Sequence, residues 1–189
     1  MVVQNPSSER SISLLVLGLG NVLCADDGLG VTAVAHLAEC YDVPERVQVL
    51  DGGTLGLSLL SYVEETERLI LIDAVRTDAP AGSPVRLDGD EVGLAIAHRL
   101  SPHQVGVADL MDAARLRDRY PREVVLLGLV PESLETRLGL SAALAAAVPS
   151  LVERVAKEAR RLGHPLLRRA GAGDAALAFV PVRPAPPGL

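Results

Sequence analysis

Aromatic residues are nearly missing from this chain of 189 residues: three tyrosines, one phenylalanine and no tryptophan. Single-stranded nucleic acid is usually held by stacking bases on such rings, and duplexes by cationic contacts to phosphate. Asp and Glu outnumber Lys and Arg by 24 to 18, for a formal charge of −6. Both shortages argue against a nucleic-acid partner and for a protein or small-molecule one. Cysteine is scarce too, with only Cys24 and Cys40. They bracket a predicted helix roughly 18 Å long, whereas a disulfide needs Cα atoms within about 7 Å. Unpaired thiols fit a reducing compartment. No run approaches the ~20 apolar residues of a membrane span. The first residues, "MVVQNPSSERS", are polar and lack the apolar segment of a secretion signal. The expectation is a cytoplasmic chain with no membrane partner. No helix face calls for a dimer, so a monomer is expected.

Apolar content is 49% with very few rings, so the core must be aliphatic. Residues 13–18, "SLLVLG", 68–75, "RLILIDAV", and 123–131, "EVVLLGLVP", read as strands buried on both faces. "RVQVLDGG" is a further short strand, and "SPVRLDGD" suits a sheet edge. Helices are expected over 28–41, with Val31, Val34, Ala35 and Ala38 at helical spacing, and over "LGLSLLSYVEE". Another is expected over 104–120, with Val105, Ala108, Met111 and Leu116 inward. The last starts at Ser141 as N-cap, bends at Pro149 and stops at Gly163. This alternation predicts a three-layer α/β/α sandwich around a mostly parallel sheet of about five strands. The expected organisation is a flexible N-terminus over 1–12, one domain over 13–163, and an Ala/Gly/Pro-rich disordered tail over 164–189.

Ligands of such sheets bind outside the carboxyl ends of the strands. Three polar positions stand there: Asp26-Asp27 after the first strand, Asp73 ending "LILID", and His103 in "LSPHQVG". The glycines of "GLGNVLCADDGLG" suggest a dinucleotide loop, but Leu23 stands where the third glycine of that fingerprint belongs. No Lys or Arg between 11 and 45 offsets the two acids, which would repel a pyrophosphate. One of the two can cap the following helix while its neighbour faces the crevice. Asp73, after a run of apolar strand residues, needs hydrogen bonds or a cation to bear its charge. His103 near a helix start is biased toward the neutral form that a metal ligand requires. His98 is a reserve ligand, and His36 and His164 are weaker. Two carboxylates and an imidazole suit a divalent metal and leave coordination positions open. Cys24 in the same loop reads as packing rather than nucleophile.

The segments "LVLGLGNVLCADDGLG", "DGGT", "LIDA", "SPHQVG" and "GLVPESLE" occur in this order and spacing in the hydrogenase maturation endopeptidases. The chain resembles that family over roughly residues 13 to 163. The resemblance implies an aspartyl-type, metal-dependent endopeptidase that removes the C-terminal extension of a [NiFe]-hydrogenase large-subunit precursor once nickel is in place. It places Asp27, Asp73 and His103 as catalytic and metal-contacting residues, with Asp27 where many relatives carry Glu. The nickel would be largely substrate-borne, with cadmium or zinc able to take its place in crystals. The turn holding Gly52, Gly53 and Thr54, and the segment holding Glu132, match the family too. They are assigned to substrate binding, although a plain turn accounts equally well for the two glycines. A non-cleaving chaperone of the same precursor is the alternative.

Overall fold

Three apolar runs become the three inner strands of one sheet. A computed structural model describes residues 10–97 and 102–170, with side chains left undescribed at 94, 96, 97 and 102–105. In chain order the elements are β1 (Ile12–Leu19), α1 (Leu29–Cys40), β2 (Tyr41–Asp42), β3 (Val47–Gly53), α2 (Leu60–Glu64) and β4 (Thr66–Ala74). Then come β5 (Pro84–Asp88), α3 (Asp90–Ala97), α4 (Pro102–Leu116), β6 (Glu123–Leu129), α5 (Ala142–Arg161) and β7 (Leu167–Arg168). The sheet runs β3-β1-β4-β6-β5, parallel except for β5, which lies antiparallel at the edge. This is the expected three-layer α/β/α architecture.

Alternating side chains fill the two faces. Leu14, Val16, Ile70, Ile72, Val125 and Leu127 pack against α1 and α5. Leu15, Leu17, Leu69, Leu71, Val124 and Leu126 pack against α2, α3 and α4. Burying each such side chain contributes about 1.5–3 kcal/mol, so both faces of the inner strands stabilise the fold.

Topology fixes where a site can form. β1 leads through α1 to β3 on one side, and β3 leads back to β4 on the other. The connections part company between β1 and β4, and a crevice opens there above their carboxyl ends.

Several elements depart from the sequence reading. Residues 90–97 form the unforeseen α3. α4 starts at Pro102, a ring pre-set for a first helical turn. It stops at Leu116 because Asp118 turns left-handed at φ 54°. Its inward face is Val107, Leu110, Met111 and Ala114, with Ala108 packed at its margin. Met111 and Ala108 point inward as expected; the Val105 side chain lies outside the described set, and Leu116 is 88% exposed. In α1, Val31 and Val34 are buried with Ala33 and Leu37, while Ala38 is exposed. α5 behaves as expected at its ends: Ser141 Oγ accepts from the Leu144 amide at 3.3 Å. Gly163, at φ 87°, closes the helix with its own N–H to Arg160 and that of His164 to Ala159. The helix continues through Pro149 as one element.

Described structure also runs past the expected boundary at 163. Leu166 is buried, and β7 pairs antiparallel with β2. At the other end, Arg10 donates to the carbonyls of Thr66 and Tyr120. The rest of the expected flexible segments, 1–9 and 171–189, lies outside the described residues, as does the reserve ligand His98.

The edge strand is tied down by charge. Arg86 of β5 grips Glu158 of α5 through two hydrogen bonds, 3.2 and 3.0 Å, and Arg161 adds a third at 2.7 Å. Burial pushes the Glu158 carboxyl up, but the two guanidiniums outweigh it and hold it below its ordinary value. The stabilisation is therefore present at neutral pH and fades as pH falls below the usual carboxylate range. Both arginines are partly exposed, so Glu158→Gln should cost a modest 1–2 kcal/mol, about what screening leaves of a half-buried pair. Denaturant titrations should show that deficit at neutral pH and its loss by roughly pH 3.

Candidate active site

The loop after β1 doubles back on itself before α1 starts. Gly20 takes φ 119°, and a Cβ there would lie 1.7 Å from the Asp27 carbonyl oxygen. Residues Ala25–Gly28 then make one tight 3-10 turn. α1 begins flush against the sheet: a Cβ on Gly30 would meet the Ile72 oxygen at 2.2 Å and the Leu19 oxygen at 2.3 Å. Only glycine permits that seat. Asp27 lies three residues before the contact, and Asp73 follows Ile72 directly. The two acids are therefore carried to the crevice from neighbouring parallel strands.

Asp26 and Asp27 are both buried but do different work. Neither caps α1, whose N-cap is Gly28 with no side-chain hydrogen bond. The intervening 3-10 turn instead aims Asp26 at the loop after β6. One oxygen accepts from the amides of Glu132 and Ser133 at 2.8 and 3.1 Å. The other accepts from Ser141, the cap residue of α5, at 2.6 Å. The backbone reinforces this clamp, with the Ala25 amide on the Arg137 carbonyl and the Asp26 amide on that of Ser133. Asp27 Oδ2 accepts from the Asn21 amide at 2.9 Å, which fixes the carboxylate across its own loop.

Asp73 is 6% exposed, and its Oδ1 accepts from the Ala74 amide at 2.8 Å. His103 is the second residue of α4; its side chain is outside the described set. One turn further, the Gly106 backbone meets Gly56: a Cβ built on Gly106 would lie 3.2 Å from the Gly56 Cα. The start of α4 is thus placed beside the turn that follows β3. Among described residues no three His, Cys, Asp or Glu side chains gather into a metal cluster. The triad of Asp27, Asp73 and His103 includes a side chain that is not among them.

Of the residues expected to bind substrate, the two glycines hold the turn together and the other two present exposed side chains. Gly52 is buried, and a Cβ there would press on Leu17 and Leu59 at 2.7 and 3.1 Å. Gly53 sits at φ 44°, and its carbonyl accepts from Gly20 at 3.0 Å, which joins the two loops. Its amide donates to Asp51 Oδ1 at 2.9 Å; burial raises the Asp51 carboxyl above its ordinary value, opposed by that bond. Thr54 is exposed beside them, as is the side chain of Glu132, whose amide belongs to the Asp26 clamp. Cys24 and Cys40 are free thiols, as expected. His36 is buried against Cys40, with Nε2 3.7 Å from Sγ. His164 stands beside Arg68, and burial together with that cation holds its imidazole below the ordinary value. The sequence reading missed the part played by Asp26 because its partners lie 106 to 115 residues away.

Buried acids thus stand at the topological switch point, where sheets of this kind bind their ligands. Comparison with known proteins gives the class. The hydrogenase maturation protease family profile matches residues 31–158. The hydrogenase 2 maturation protease of Escherichia coli is 36% identical over 163 residues, 85% of this chain and 99% of that protein. The hydrogenase expression/formation protein HupD of Bradyrhizobium diazoefficiens is 43% identical over 131 residues, covering 69% and 68%. Among solved structures, the E. coli hydrogenase maturating endopeptidase HybD superposes with a TM-score of 0.80 at 36% identity, over 84% of this chain and 98% of that one. The chain belongs to the hydrogenase maturation protease family and is an endopeptidase of that class.

Asp26→Asn replaces one acceptor oxygen by a donor that faces backbone N–H groups. It should destabilise the fold by about 2–3 kcal/mol and speed hydrogen exchange at the amides of 132, 133 and 141. Gly30→Ala has no room for its methyl and should lower Tm by well over 5 °C or so. Thermal melts of both variants check this.

Proposed function

We propose that the chain removes the C-terminal extension of a [NiFe]-hydrogenase large-subunit precursor after nickel insertion, and that Asp27, Asp73 and His103 sense the nickel. The observation that carries this reading is the placement of two buried carboxylates, Asp27 and Asp73, on adjoining strand ends of a family endopeptidase. Buried carboxylates need a cation or a dense set of donors. Two hard oxygen donors with one imidazole fit a divalent first-row ion, and the lack of thiolate among them fits an ion that arrives with the substrate. A precursor without nickel then has nothing to bring its scissile bond into the cleft, and recognition doubles as proofreading.

Hydrolysis also needs a base. In this reading a cleft carboxylate accepts a proton from the attacking water as the C–O bond forms. It returns that proton to the departing amine as the C–N bond breaks. The Asn21 amide keeps Asp27 oriented for this, and the Ala74 amide does the same for Asp73. The proposed setting is the cytoplasm, with the enzyme acting as a monomer. No helix among the described residues is long and apolar enough to cross a membrane.

The test is incubation of the purified chain with precursor, loaded with nickel or not, followed by intact mass. The nickel-loaded form should lose its extension and the nickel-free form should not. Asp27→Asn and Asp73→Asn should each slow cleavage by at least about a hundredfold. Equal cutting of both precursor forms would remove nickel sensing, and normal maturation by Asp27→Asn would favour the non-cleaving chaperone.

A further inference from the structure

Four leucines stand in water around the cleft. Leu23 is 56% exposed, Leu55 58%, Leu57 53% and Leu138 70%. Single exposed leucines are ordinary; several gathered at one rim mark a binding surface. The backbone shows that these are gathered. The Arg137 amide donates to the Leu23 carbonyl at 3.0 Å, which sets Leu138 beside Leu23. The Gly20 amide donates to the Gly53 carbonyl at 3.0 Å, which joins this loop to the turn bearing Leu55 and Leu57. Asp27 belongs to the same loop, four residues after Leu23. None of the four leucines is part of either core cluster.

We infer that Leu23, Leu55, Leu57 and Leu138 form an apolar rim that docks the precursor polypeptide on either side of the bond to be cut. This rests on the reading of the cleft given above. A chain that brings its scissile bond to Asp27 must pass over the loop that carries Leu23, so rim and cleft are one continuous surface. The occupant is therefore an extended segment with apolar side chains near the cleavage point. Nickel supplies the licence to cut, and the rim supplies much of the grip.

The experiment measures KM and kcat on nickel-loaded precursor for Leu23→Ser/Leu138→Ser and for Leu55→Ser/Leu57→Ser. Each pair should raise KM about tenfold while kcat stays within about twofold, with unchanged Tm because these side chains leave no cavity. Leu116→Ser is the control. That residue is 88% exposed at the far end of α4, where Arg117 and Arg119 pair with Glu64 and Glu65 just before β4. It should change neither constant. Unchanged KM in both pairs overturns the inference. So does sedimentation showing that the unmutated chain is a dimer which the serine pairs dissolve, because the rim would then face a second copy. Asp27→Asn separates the two readings: it should fail to cut, yet either leucine pair placed on that background should still weaken precursor binding further. If it cuts, the proposed catalysis falls while the rim is judged by KM alone.

Discussion

The first turn of α1 rests directly on the ends of β1 and β4, and everything at the cleft follows from that contact. With no side chain at Gly30, the helix approaches the carbonyls of Leu19 and Ile72 more closely than any other residue would allow. The loop carrying Asp27 and the strand end carrying Asp73 are thereby brought to the same end of the sheet. A wider gap would leave a sheet with the same topology and a helix start lifted away from the carbonyls of Leu19 and Ile72.

Adjacent aspartates illustrate how position decides the use of identical chemistry. Asp26 spends its oxygens on three amides of one distant loop, so its charge is fully solvated by the protein itself. Asp27 is held at its Oδ2 by the Asn21 amide of its own loop. About 120° of rotation along a 3-10 turn sends the two side chains to different partners.

Much of the architecture could be read without coordinates, because β1, β4 and β6 are apolar on both faces and end in glycine, aspartate or proline. The same ends pointed to Asp27 and Asp73. Local pattern failed where tertiary packing decides. The inward face of α4 is set by contact with α2 and the turn at Gly56, so Leu116 points to water although its spacing suits a core. α3 is too short and too weakly patterned to announce itself. The partners of Asp26 could not be read at all, since a carboxylate carries no mark of which distant amides it will meet. β7 pairs with only two residues of β2, and no periodicity exists at that length.

The clamp formed by Asp26 spans more than half the sequence, from residue 26 to the cap of α5 at Ser141. Such a non-local contact closes only after the intervening chain has been made and arranged. A nascent polypeptide on the ribosome holds Asp27 and Asp73 early, yet the loop that clamps the neighbouring Asp26 is translated late. A product that stops short of residue 141 would carry the loop of Asp26 and Asp27 without the contact that ties it to α5.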